Sequence, residues 1–319
     1  MKKLIAGLTA LLFLLTGCGI QPVQQETQNP KKVVAILKAM DSLHWLSVED
    51  GMQKAAKDYQ VDVTILWPET ESDVEEQEQI IQDALLSKPD AVVLAPCDSV
   101  GVQSYTKQMR KQKIDVFYID EEADSSEDIP YVGSDNYGSG KMAAEALAKT
   151  LPTGAQVAVI GGSRNQKAHD KRIRGFQDFI EQHTDLTVVD TAEVPGCTQG
   201  GGREAMRSLL QQYPNLQGVF CTSAMMTMGA LEQCEAEQRK DVKLVGMDTQ
   251  SDALSAVQDG SLVAMVSQNG YDMGYRMIQT VVEQWDGKNV PKTTYVKNEL
   301  ITQKNVDTFL KEYVMEGRK

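Results

Sequence analysis

From Lys32 onward, short apolar runs rich in β-branched residues alternate with longer stretches whose apolar residues recur at helical spacing. The short runs predict strands at Val33–Leu37, Val61–Trp67, Ala91–Ala95, Val116–Ile119, Gln156–Ile160, Thr187–Thr191, Gly218–Cys221, Lys243–Gly246 and Leu262–Val266. Between them the spacing predicts helices, among them Leu46–Tyr59, Asp73–Ser87, Gly140–Leu151, Lys171–Gln182, Arg203–Tyr213 and Met225–Glu237. The acidic residues of Asp73-Val74-Glu75-Glu76 fall in a first helical turn, where the helix dipole favours negative charge. Strands that are apolar on both faces, alternating with amphipathic helices, predict parallel sheets covered on both sides. Ligands of such sheets sit beyond the C-terminal strand ends. That rule marks the loops at Ala39–Trp45, Ala95–Ser99, Asp120–Glu122, Gly161–Asp170, Thr222–Met225 and Asp248–Ser251.

The N-terminus has a different texture. Lys2 and Lys3 precede an apolar run from Leu4 to Leu15, which is too short to span a bilayer but fits a signal-peptide core. The run ends in Leu15-Thr16-Gly17-Cys18, a match to the bacterial lipobox. The match implies cleavage after residue 17 and lipidation of Cys18, so acyl chains rather than a helix hold the protein at the membrane. Gly19 to Lys31 is polar and rich in Gln and Pro, so residues 18–31 read as a lipidated flexible tether.

At 319 residues the chain exceeds one compact domain, and two are expected. Its net charge of -13 repels polyanions, which argues against nucleic acid and anionic membrane surfaces as partners. Four cysteines remain beyond the lipobox: Cys97, Cys197, Cys221 and Cys234. Their spacing matches no small disulfide framework and no CxxC metal site. Separate buried thiols are the simpler reading, and the pairing stays open.

Catalysis finds little support. His44, His169 and His183 are the only histidines, and none has a metal spacing or forms an evident nucleophile dyad. Gly161-Gly162-Ser163 lacks the P-loop Lys-Ser/Thr, and Gly200-Gly201-Gly202 lacks dinucleotide spacing. Both read as turns; no cofactor or metal is expected.

Several segments, in order, resemble the type I periplasmic binding proteins of the ribose and galactose group. They are Asp50–Ala56, Gln79–Leu85, Lys88–Pro96, Val132–Gly140, Arg172–Phe176, Met228–Leu231 and Val245–Asp248. The resemblance runs from Val33 to about Leu300. It implies two similar doubly wound α/β domains with parallel sheets, joined by three hinge strands and closing on ligand like a clamshell. One lobe would comprise 32–134 with 269–296, the other 135–268 with 297–319. LacI-type repressors share the architecture but carry a helix-turn-helix where this chain has the lipobox.

By position, the resemblance assigns Asp41, Ser42, His44 and Trp45 to a ligand-contacting loop, with Trp45 as a ring to stack on a sugar face. A core position for Trp45 is the competing reading. Asp120, Asp248 and Gln268 match polar ligand contacts, although Asp248 could instead cap a helix. Glu121, Asp170 and Ser223 replace an arginine, a second arginine and an asparagine of ribose-type binders. The pocket is therefore expected to lose cationic donors and gain carboxylates. Compensation could come from a cationic ligand such as an amino sugar, from local basic residues including Arg164, Lys167, Lys171 and Arg172, or from exposure. The expectation is a monomeric, membrane-anchored solute-binding lipoprotein outside the cytoplasm. It would serve the permease of an ABC importer or, alternatively, a membrane receptor kinase.

Overall fold

The computed structural model describes residues 30–123 and 128–316. The signal-peptide segment, Cys18 and the tether up to residue 29 lie outside the described residues. Strands β1 (Lys32–Ile36), β2 (Asp62–Leu66), β3 (Ala91–Leu94), β4 (Asp115–Ile119), β5 (Tyr131–Ser134) and β11 (Thr293–Val296) form the first sheet. Their spatial order is β11-β5-β4-β3-β1-β2, and every pairing is parallel. The second sheet contains β6 (Gln156–Gly161), β7 (Thr187–Glu193), β8 (Leu216–Cys221), β9 (Lys243–Met247), β10 (Ala264–Ser267) and β12 (Glu299–Ile301). Its order is β12-β10-β9-β8-β6-β7, with β12 alone antiparallel to its neighbour. The result is two α/β domains.

Burial explains the apolar runs. In β1, Val33 and Ala35 face one apolar cluster while Val34 and Ile36 face another, so both sheet faces are dry. Val157 and Val159 of β6 face one cluster, Ala158 and Ile160 the other. The edge strands β2 and β7 are only half-buried, as their mixed sequences require.

The helices are α1 (Leu43–Tyr59), α2 (Val74–Leu86), α3 (Gln103–Lys111), α4 (Asn136–Ala148), α5 (Lys167–His183), α6 (Gln199–Gln212), α7 (Ala224–Ala236), α8 (Ser251–Asp259), α9 (Gly270–Trp285) and α10 (Val306–Glu316). Asp73 caps α2 by accepting from the Glu76 N–H at 3.0 Å. Helix α5 begins at Lys167, four residues before the apolar spacing starts, and this brings its first turn to the site. Helices α4 and α5 touch backbone to backbone. A Cβ on Gly140 would lie 2.0 Å from Arg172 O, and one on Gly175 2.1 Å from Tyr137 O. Only glycine permits that approach.

Strands β5, β11 and β12 were absent from the sequence-predicted set. They are three or four residues long and include Gly, Thr or Glu, so pairing with neighbours rather than an apolar run defines them. They also border the passages between sheets. The chain crosses after β5, after β10 and between β11 and β12. Asn298, in the third passage, donates to Asp135 O at 3.3 Å and to Ser139 Oγ, tying it to the first.

Candidate functional site

The C-terminal ends of both sheets face one cavity of about 60 Å³. It is lined from the first domain by Lys38, Asp41, Ser42, His44, Trp45, Glu71 and Asp120. The second domain contributes Ala168, His169, Arg172, Cys197, Ser223, Ala224, Met225, Asp248, Gln250 and Gln268. The location follows the strand-end rule. A wider depression of about 520 Å³ lies at the opposite edge of the first sheet, beside the strand starts at Asp115 and Lys292.

Asp120 and Asp248 are presented by matching turns. Each follows a central strand (β4 and β9), and each lies in the left-handed region, at φ 61 and 68. Their backbone N–H groups donate to Val132 O at 3.0 Å and Val266 O at 2.9 Å. Aspartate tolerates this conformation better than most residues, and such local strain gathers at binding sites.

Around Asp120 the environment is charged. His44 Nε2 lies 3.0 Å from Asp120 Oδ1, and Lys38 Nζ 3.7 Å from Oδ2. Burial alone would raise the Asp120 pKa, but the His44 bond and the charges of His44, Lys38 and Arg172 hold it well below the usual carboxylate range. Burial opposes charge on His44, yet Asp120 raises its pKa above the ordinary value. Lys38 is 2% exposed and bonds Glu121 Oε2 at 3.1 Å. Burial works against the ammonium, but Glu121 and Asp120 overcome it and raise its pKa.

The second domain contributes a relay in which uncharged groups separate a cation, Arg172, from a carboxylate, Asp248. Arg172 donates from Nε to Asn136 Oδ1 at 2.8 Å, from Nη1 to Thr222 O at 3.0 Å, and from Nη2 to Gln268 Oε1 at 2.8 Å. Gln268 Nε2 in turn donates to Asp248 Oδ1 at 2.7 Å. Asp248 therefore commits one carboxylate oxygen to Gln268, and the cap position of α8 belongs to Gln250. His169 Nδ1 lies 2.7 Å from Thr222 Oγ1, and burial with the charges of Arg172 and Lys38 lowers its pKa well below the ordinary value.

Of the sequence-predicted residues, Asp41, Ser42, His44, Trp45, Asp120, Ser223, Asp248 and Gln268 border the cavity. Trp45 occupies both alternatives: 5% exposed, it belongs to the first domain's core, with its neighbour His44 edge-on at 5.0 Å. Ser223 borders the space while its hydroxyl accepts from the Met226 N–H at 3.4 Å, capping α7.

Two positions need correction. Glu121 is fully buried behind Lys38, accepting from Lys38 and from the Ala168 N–H at 3.0 Å. It holds a cation in place instead of facing the cavity. Asp170 turns away, 3.4 Å from Arg164 and 3.9 Å from Arg174. On α5 residues three apart share a face, so His169 and Arg172 point inward together and Asp170 with Arg174 points elsewhere. The expected loss of cationic donors is also corrected, because Lys38 and Arg172 both line the cavity. Among residues not assigned to ligand contact from sequence, Lys38 sits two residues past an apolar strand, where the strand-end rule could have found it. Glu71 and Cys197 lie in loops without a comparable cue. All four described cysteines are buried free thiols.

Residues 33–289 match the model of the periplasmic binding protein domain. The ribose import binding protein RbsB of Bacillus subtilis (strain 168) is 30% identical over 311 residues, covering 95% of this chain and 100% of that protein. A carbohydrate transporter solute binding protein from Agrobacterium radiobacter, solved with D-arabinose, superposes with a TM-score of 0.83 at 26% identity, covering 89% of this chain and 98% of that one. GanP, a glucose-galactose binding protein from Geobacillus stearothermophilus, gives 0.82 at 28% identity, covering 87% and 99%. By name, the first two are binding proteins of sugar import or carbohydrate transport and the third binds glucose and galactose. Matched by that family model over most of its length and by a relative 30% identical from end to end, the chain belongs to the type I periplasmic binding protein family.

Proposed function

We propose that this chain captures a monosaccharide or sugar-like ligand between its two domains, outside the cytoplasm, and presents it to the permease of an ABC importer. The observation that carries this reading is the convergence of Asp120 and Asp248 from twin turns, with Arg172 and Trp45, on one small cavity. Hydroxyls both donate and accept, and these groups offer acceptors, donors and an apolar ring face together. At about 60 Å³ the cavity is far below the usual ligand-pocket range, so it leaves no room for an oligosaccharide and must widen by movement of the lobes to admit a monosaccharide. Lys38 and Arg172 supply positive charge from within, so a cationic ligand is not needed to balance the carboxylates.

Residues 32–134 with 269–296 and residues 135–268 with 297–319 would move as two lobes about the three passages. Ligand bridging both would favour the closed population by the contacts it gains there. Cys18 would carry the lipid that keeps the protein at the membrane. A thermal-shift screen of aldoses, amino sugars and amines tests the ligand class. The expected result is a raised melting temperature with at least one neutral monosaccharide; a response restricted to amines contradicts the reading.

A further inference from the structure

One wall of the cavity joins three side chains that the hydrogen-bonded sugar-facing groups do not use. Glu71 comes from the loop between β2 and α2 in the first domain. His169 on α5 and Cys197 in the turn before α6 come from the second. Their carboxylate, imidazole and thiol donor atoms all lie within 4.8 Å of one another. His169 Nε2 is 3.5 Å from Cys197 Sγ. Zinc bonds of about 2.3 Å to sulfur and about 2.05 Å to nitrogen, at a tetrahedral angle, separate the two donors by about 3.6 Å.

The imidazole is held from behind. Its Nδ1 meets Thr222 Oγ1 at 2.7 Å, and that oxygen accepts from the Gly162 N–H at 3.1 Å. Metal-binding histidines are oriented by such an outer partner on the far nitrogen. Cys197 takes a left-handed φ of 49, and its sulfur lies against the ring. Gly162 leaves the space beneath them: a Cβ there would lie 2.7 Å from both Cys197 Sγ and the His169 ring.

We infer that Glu71, His169 and Cys197 form a site for a zinc-class divalent transition ion bridging the two domains. Coordination releases the thiol proton to solvent, so thiolate and carboxylate offset the ion's two charges despite nearby Lys38 and Arg172. Three protein donors leave a fourth position toward the cavity for water or a ligand oxygen. Because Glu71 belongs to one domain and the other two donors to its neighbour, the ion binds the closed arrangement and shifts the population toward it. The inference does not require the ligand to be a sugar.

The test is titration of the reduced full-length chain with Co²⁺. The wild type is expected to develop thiolate-to-cobalt charge-transfer absorption, saturating at one ion per chain and displaced by Zn²⁺. Cys197→Ser abolishes the band, with melting in metal-free buffer as the check on folding. Thr222→Val keeps all three donors and weakens cobalt binding by about 10–100-fold. It decides the matter if Cys197→Ser does not fold. No band in the wild type at saturating Co²⁺, a band surviving in Cys197→Ser, or unchanged affinity in Thr222→Val overturns the site. Sugar binding without a cobalt band removes this site alone, whereas a band without sugar binding leaves it standing and removes the sugar reading.

Discussion

The turns at Asp120 and Asp248 are one device built twice, and their surroundings differ. Both carboxylates leave the end of a central strand from a left-handed residue whose N–H bonds the next strand. Asp120 then enters a buried charged network with His44 and Lys38, backed by Glu121. Asp248 is reached through a single amide, Gln268, which in turn accepts from Arg172. The fold therefore fixes where a strand-end carboxylate points, while neighbouring side chains fix what its presence costs. Buried charge is tolerated only when paired, so the first domain's wall should be fragile and the second's more forgiving.

The sharpest break in that comparison is Lys38→Met, which leaves Glu121 buried without its cation. A loss of about 3–5 kcal/mol in urea unfolding is expected, recovered in large part by adding Glu121→Gln. A single variant as stable as wild type would remove the charged network from the account. Trp45→Ala empties core volume as well as cavity wall and should cost about 3–5 kcal/mol, so it cannot report on binding alone. Trp45→Phe keeps most of the core and is the variant in which weaker ligand binding by calorimetry would identify a stacking role.

Next come the paired carboxylates. Asp120→Asn and Asp248→Asn should each weaken ligand binding by about ten- to hundredfold, as for loss of a charged hydrogen-bond partner worth about 1.5–3 kcal/mol. Only Asp120→Asn should also lower stability measurably; equal losses from both would dissolve the contrast. The smallest effect concerns pH. His44 has a raised folded-state pKa, so its stabilisation is complete below the ordinary value of 6.5 and is lost as pH rises through the raised one. Asp120, held low, contributes above its ordinary 3.8 and loses that contribution only as pH falls through the depressed value. His44→Gln should flatten the alkaline side of the stability profile, read from melting temperature against pH.

Sequence reading succeeded where burial leaves a local signature. Strands such as β3, buried along its whole length, show as apolar runs, and their ends marked the loops that hold Asp120 and Asp248, whereas Gln268 was reached only through the resemblance. It failed where tertiary partners decide. Nothing local to Glu121 reveals that Lys38, eighty-three positions away, holds it beneath the cavity. Starting α5 at Lys171 rather than Lys167 hid the helical phase that turns Arg172 inward and Asp170 outward. The short strands β5, β11 and β12 are set by pairing, and their sequences carry too little pattern to announce it.

The account's central claim is that carboxylates from both domains grip one small solute. Calorimetric titration of the wild type, Asp120→Asn, Asp248→Asn and the double variant with the best-responding monosaccharide tests it most directly. The account predicts one saturable site in the wild type, weakened by each single change, with the double variant below detection. Absence of monosaccharide binding to the wild type, or undiminished affinity in both single variants, would contradict it.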